Sequence, residues 1–164
     1  MFKTGEWIPP VPSQQPLRKQ GAFVEVSRDA EYQVQTIGLA KFNEGNQQLL
    51  AGLPDEQKRP WAFHTPHNPE ADQPQIIIRL KKPANLRQIA VENRKATEFL
   101  PRSKGLTLWL SSDGNDWRQV WQAESPKAEW LIDLGAGQPA QYLKLGLPGK
   151  GVLHLREVVV YGDP

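Results

Sequence analysis

Gly105-Leu106-Thr107-Leu108-Trp109-Leu110-Ser111-Ser112-Asp113-Gly114-Asn115-Asp116-Trp117-Arg118-Gln119-Val120-Trp121 decides the fold. Leu106, Leu108 and Leu110 fall on every second position. Successive side chains of a strand point to opposite faces, so this spacing coats one face with hydrocarbon. Trp109 falls on the other face. Ser112-Asp113-Gly114-Asn115 has the composition of a tight turn, and Trp117–Trp121 reads as the strand that follows it.

The same grammar runs outward in both directions. Gln75–Leu80, Leu86–Val91, Trp130–Leu134, Tyr142–Leu145 and Leu153–Tyr161 are strand-like runs separated by Gly, Pro and Asp turns, and no convincing helix intervenes. Leu143, Leu145 and Leu147 repeat the alternation of the first stretch. Many short strands between tight turns predict an antiparallel sandwich or barrel, with Ile89, Val91, Leu106, Leu108, Leu110, Trp130, Leu143 and Leu145 in its core. Ala22–Ser27 and Tyr32–Ile37 read as the opening strands. Before them, residues 1–20 carry Pro9, Pro10, Pro12 and Pro16. Proline cannot donate to a ladder, so this segment reads as an extension, extended or loosely packed, with Trp7 and Ile8 as anchors. Residues 41–74 form a long irregular region containing five prolines. Long irregular loops inside a domain are functional or disordered, and the anchors Trp61 and Phe63 favour function. The expected division is an N-terminal extension, 1–20, and one β-sandwich domain, 21–162.

Composition excludes several classes of function. The 164 residues suit a single domain, and a net charge of +2 with dispersed basic residues leaves no footprint for nucleic acid or for an anionic membrane. Cysteine is absent, which removes disulfides, thiolate metal sites and a cysteine nucleophile. No apolar stretch approaches the roughly 18–20 residues of a membrane span. The chain as given reads as soluble, and a secreted parent protein is compatible with it. Catalysis lacks its usual marks: the carboxylates are scattered, and there is no G-x-S-x-G elbow, no H-E-x-x-H and no phosphate-cradling glycine loop. The expectation is a protein that is not an enzyme. His154 lies on the face opposite Leu153 and Leu155 and reads as a cross-strand partner rather than a general base.

Four motifs in order resemble the discoidin domains, the coagulation-factor C-type, galactose-binding-like family. Gly105–Val120 is similar to their strand followed by "S-x-DG-x-x-W-x-x-V". Trp130–Gly135 followed by Gln141–Leu145 resembles "W-x-x-x-LG…ARYVRL", and Leu153–Gly162 resembles the closing "L-x-E-x-x-VYG". Ile89-Ala90-Val91-Glu92-Asn93-Arg94 resembles the "I-x-I-x-NR" strand of fucose-binding lectins and their bacterial relatives among carbohydrate-binding modules. The resemblance implies an all-β antiparallel jelly-roll β-sandwich with ligands held by loops at one end. It also implies that Trp117 and Trp130 are core positions. The chain stops two residues after the closing Tyr-Gly, where an excised or terminal domain would stop.

Within that resemblance, the ligand-binding candidates are His64, His67, Arg94 and Arg102, because a planar guanidinium reads paired sugar hydroxyls with parallel donors. His67 and Arg94 have the lectin spacing, whereas His64 has the better local context. Ala96 stands where the lectins carry an aspartate, Pro101 stands where they carry the second arginine, and Arg102 comes one residue later. Phe99, at the tip between two strands, and Trp61 are the aromatic candidates, since the C–H face of a sugar stacks on a ring. Glu157 matches the family's accessory calcium ligand. Ala51 replaces the acidic residue of the "L-D-G" loop, so the expected cofactor is none, with calcium as the alternative. If no cation binds Glu157, a loop lysine or arginine is its expected partner. The implied function is a non-catalytic carbohydrate-binding module, with a glycan or glycoconjugate and the other domains of a larger protein as partners. One alternative is a protein-interaction or assembly module that keeps the fold without the sugar pocket. A second is phospholipid binding through Phe99-Leu100 over Arg94, Lys95, Arg102 and Lys104.

Overall fold

The turn at Asp113 is held by its own carboxylate. A computed structural model describes residues 2–37, 42–45, 48–65 and 72–164. In it the Asp113 carboxylate accepts the backbone N–H of Asp116 at 2.9 Å and of Asn115 at 2.8 Å, and the Ser111 hydroxyl lies 3.0 Å away. These bonds, Asp116 first, hold the Asp113 carboxyl at a pKa of about 2. Gly114 takes a φ of 81°, which only glycine adopts without strain.

The described residues form eleven antiparallel strands: β1 (Phe2–Lys3), β2 (Lys19–Gln20), β3 (Phe23–Glu25), β4 (Glu31–Ile37), β5 (Phe42–Gly45), β6 (Phe63–His64), β7 (Asp72–Asn93), β8 (Thr107–Ser111), β9 (Arg118–Gln122), β10 (Glu129–Gly146) and β11 (His154–Gly162). The hairpin read first in the sequence is β8–β9. Two of the expected boundaries are absent. The runs 75–80 and 86–91 are one strand, β7, and the runs 130–134 and 142–145 are one strand, β10. Leu86, Asn85 and Ala84 pair with Gln138, Pro139 and Ala140, so the ladder continues through both supposed turns. Register shifts after Asp133 and after Ala140 absorb the bend.

The same two long strands therefore serve both sheets of a jelly-roll β-sandwich. The first half of β7 lies between β4 and the second half of β10, with β8 and β9 beyond. The second half of β7 lies between the first half of β10 and β11, with β3 and β6 against β11. Ile89, Val91, Leu106, Leu108, Leu110, Trp130, Leu143 and Leu145 are all buried in one core. Trp117 is a correction: it is only half-buried, and the Lys144 ammonium sits 4.6 Å from its ring.

The N-terminal segment is stitched to the sandwich. Ile8 is buried in the core and bridges Tyr32, while the Arg79 guanidinium covers Trp7 at 4.1 Å. The region 41–74, read as irregular, contains β5, β6 and a 3-10 turn at Asp55–Gln57.

Candidate functional site

Three strand ends form the floor of the site. β6 pairs with β11 so that His64 lies opposite His154, and β11 pairs with β7 so that Leu155 lies opposite Asn93. Backbone bonds from Ala62 to Leu155 (2.8 Å) and from Thr65 to Leu153 (2.9 Å) lock this short pairing. The two imidazole rings stand 5.1 Å apart, and both are buried. Each ring is fixed at Nδ1. His64 Nδ1 lies 2.6 Å from the Thr65 carbonyl oxygen, which only accepts, so Nδ1 carries the proton. His64 Nε2 then accepts from Arg94 Nη1 at 3.0 Å. His154 Nδ1 lies 2.9 Å from Asn93 Oδ1.

Immediately after β7 the chain coils into a 3-10 segment, Thr97–Ser103. The Phe99 N–H donates to the Ala96 carbonyl, and the Ser103 hydroxyl donates to the Leu100 carbonyl at 2.7 Å. This coil turns the chain back on Arg94. The Arg94 guanidinium lies 4.1 Å and the Arg102 guanidinium 4.4 Å from the centre of the Phe99 ring. Phe99 also meets His154 edge-on at 6.3 Å, and Trp61 meets His64 edge-on at 5.5 Å. Two cations on one ring gain from its negative faces but repel one another. Burial, and then the charge of Arg94, draw the Arg102 guanidinium below its ordinary pKa.

Burial comes first among the causes acting on His154. The neighbouring charges of His64, Arg102 and Arg94 add to it, and together they hold the ring at a pKa of about 3. The unfolded chain takes up this proton near pH 6.5, whereas the folded chain does not. The His154 contribution to stability is therefore complete above about pH 6.5 and is lost as the pH falls towards 3, at up to about 1.4 kcal/mol per pH unit. Urea midpoints measured between pH 7 and pH 5 are expected to fall less in His154→Asn than in wild type. Equal slopes would show that His154 titrates normally in the folded chain.

His64, Arg94, Arg102, Phe99 and Trp61, five of the candidates taken from the sequence, thus meet in one cluster. His67 lies outside the described residues. Phe99 is not an exposed tip but a half-buried ring in contact with two guanidiniums. Phe99 and Leu100 are both half-buried, so they offer no protruding spike to a phospholipid surface. Asn93 and His154 were not among the candidates. Asn93 carried a cue in the Asn93-Arg94 dipeptide, but His154 joins the site only through the β6–β11 register.

Glu157, the metal candidate, lies elsewhere. Its Oε1 accepts from Arg18 Nη1 at 2.6 Å and lies 3.1 Å from Lys58 Nζ. Lys58 also reaches Glu92, and Arg156 links Glu92 to Asp55. Among the described residues, no group of three or more His, Cys, Asp or Glu side chains is arranged to hold a metal ion.

A surface hollow of about 330 Å³ opens beside Arg94, lined also by Asp55, Glu92, Thr97, Leu100 and Arg156. A second of about 710 Å³ opens beside Arg102, lined also by Pro101, Lys104, Leu147, Pro148 and Lys150. The cluster includes Arg94 and Arg102, which line one hollow each, and lies where segments 61–65 and 93–104 meet. Among the described residues, no helix is long and apolar enough to cross a membrane.

An all-β jelly roll with this strand order is the galactose-binding-like, discoidin-type fold, and comparison with solved structures shows the same. A family 32 carbohydrate-binding module from Clostridium perfringens, solved with GalNAc-β-1,3-galactose, superposes with a TM-score of 0.59 at 18% identity, covering 80% of this chain and 94% of that one. A fucose-binding module from Streptococcus pneumoniae gives a TM-score of 0.57 at 16% identity, covering 79% and 90%. The lectin domain of lectinolysin, solved with Lewis b antigen, gives 0.51 at 22% identity, covering 62% and 72%. No family model matches the sequence, and no curated protein matches it.

Proposed function

We propose that this chain is a non-catalytic carbohydrate-binding module that holds a glycan at the cluster of His64, Arg94, Arg102, Phe99 and Trp61, with His67 as a further candidate from the sequence. One observation carries the reading. Residues 30 or more apart in sequence, His64 and Arg94 among them, converge with two aromatic rings at the loop end of the sandwich. Guanidinium groups supply paired donors for hydroxyls, and aromatic rings supply a surface for C–H faces. The glycans named for the structural relatives, GalNAc-β-1,3-galactose, fucose and Lewis b, support a ligand of this class. The setting that fits is an accessory part of a larger, extracellular glycan-active or surface protein.

Arg94 is the principal contact. It follows a rigid strand, and its head group is already placed by His64 Nε2. A hydrogen bond from a charged group is worth about 1.5–3 kcal/mol, so Arg94→Ala should weaken glycan binding by roughly ten- to a hundred-fold. Arg94→Lys should be nearly as harmful, because an ammonium lacks the planar fork. Glycan-array screening followed by calorimetry checks both. A glycan bound equally by wild type and Arg94→Ala would place the site elsewhere.

Calcium is dispensable in this reading. Arg18 and Lys58 already neutralise Glu157, and Ala51 offers no carboxylate. A metal bound only by the folded state raises the melting temperature by mass action. Chelator is expected to leave that temperature unchanged, and a drop restored by calcium would make Glu157 a metal ligand.

A further inference from the structure

The two histidines of the floor are not equally committed. Both ring nitrogens of His64 are engaged, Nδ1 with the Thr65 carbonyl and Nε2 with Arg94. His154 uses only Nδ1, and the direction of that bond is determined by Asn93. Asn93 Oδ1 also accepts the backbone N–H of Arg94 at 2.7 Å, while Asn93 Nδ2 donates to the Lys127 carbonyl at 3.1 Å. Turning the amide over would set NH2 against N–H and carbonyl against carbonyl. Oδ1 therefore faces His154, and His154 Nδ1 carries the proton. The neutral ring then presents a bare lone pair at Nε2. That atom is buried and has no hydrogen-bond partner among the described residues. Native folds rarely leave a buried acceptor unmatched, so an atom in this state calls for a partner.

A donor in the same state lies in the same cluster. Arg94 Nε is buried and likewise has no partner among the described residues. The Phe99 ring touches both side chains, at 4.1 Å from the Arg94 guanidinium and 6.3 Å from the His154 ring centre. An acceptor and a donor left open on two side chains that both pack on Phe99 fit a group that donates and accepts at once, as a hydroxyl does. A carboxylate or phosphate has lone pairs only, and it would set one of them against that of His154. We propose that His154 is a ligand-binding residue, its Nε2 accepting a hydrogen bond from a hydroxyl of a neutral sugar whose oxygen accepts from Arg94. This rests on the glycan reading of the site and narrows it to uncharged sugars with a free hydroxyl at the contacted position. Nε2 is buried, so a ligand reaches it only with a side-chain movement in the cluster.

Calorimetry with methyl β-galactoside, methyl α-L-fucoside and methyl β-N-acetylgalactosaminide, on wild type, Arg94→Ala and His154→Asn, tests the proposal. Asparagine places an amide nitrogen where Nδ1 was, so it keeps the bond to Asn93 and removes Nε2. A sugar that binds wild type is expected to bind His154→Asn about tenfold more weakly, the loss of one well-placed hydrogen bond. Monodeoxyfluoro analogues of that sugar sharpen the test, because fluorine removes the O–H donor. One analogue should lose affinity for wild type and then bind wild type and His154→Asn equally. Adding the parent sugar should also shift the Nε2 nitrogen resonance of His154 towards the hydrogen-bonded range. The fluoro series and the resonance are both read on wild type, so a variant that fails to fold does not remove the test. If Arg94→Ala abolishes binding while every fluoro analogue binds like the parent and the resonance stays put, His154 is a strand residue only and the glycan reading stands. If no sugar of the panel and no glycan of an array binds wild type, both readings fall together.

Discussion

Arg28→Ala is expected to cost about 3–5 kcal/mol, the usual penalty for breaking a buried ion pair by removing one partner. The Arg28 side chain is 7% exposed and that of Glu25 is 1% exposed, so neither charge has water to fall back on. Arg28 Nη2 donates to Glu25 Oε1 at 2.7 Å and Nε donates to Oε2 at 3.0 Å, a two-pronged pairing. The guanidinium also donates to the carbonyls of Gln15 (2.6 Å) and Pro16 (3.2 Å), which tie the N-terminal segment down. Without it, Glu25 keeps the backbone N–H of Arg18 at 2.9 Å but loses its buried cation. In a chain of this size each kcal/mol shifts the melting temperature by about 2–4 °C, so a fall of roughly 6–20 °C is expected. Arg28→Lys should recover only part of it, since an ammonium cannot make the fork. A loss below about 1 kcal/mol would show that Glu25 does not depend on Arg28. The backbone at Gly52 packs so closely against the guanidinium that a Cβ there would collide with Arg28 Nη2.

Leu108→Ala should cost about 2–5 kcal/mol, the range for emptying a fully packed leucine position. Leu108 is fully buried, opposite Leu145 of β10 on one side and Trp121 of β9 on the other. Three strands share that cavity wall, so collapse into it would have to move all three. Leu131→Ala is the control: Leu131 is 54% exposed, and its loss should stay within about half a kcal/mol. Urea unfolding of the two variants side by side checks both numbers. A cost at Leu108 no larger than that at Leu131 would remove it from the core.

The alternation of Leu106, Leu108 and Leu110 made this core legible, because a period of two is imposed by the strand itself and needs no tertiary information. The unbroken course of β7 and β10 was not legible. Pro83, Pro139 and the glycines nearby have the composition of turns, yet each strand's ladder continues because the other runs alongside with matching bulges. Pairing between two segments about 50 residues apart decides such a matter, and local composition does not report it.

The site divides along the same line. The sequence by itself determined the residue types, histidine, arginine and aromatic, and through the Asn93-Arg94 strand end it determined where Arg94 would emerge. It also determined that Ala51 offers no carboxylate beside Glu157. Tertiary structure alone decided that Arg18 and Lys58 would reach Glu157, since they come from segments separated from it by about a hundred residues or more. It also decided that Phe99 would pack against both Arg94 and Arg102, because the 3-10 coil turns the chain back on Arg94. His154 shows the division most sharply. Its chemistry was in the sequence, but its neighbours were set by the register of β6 and β7 against β11, and a shift of one residue in either pairing would have pointed that lone pair at different groups.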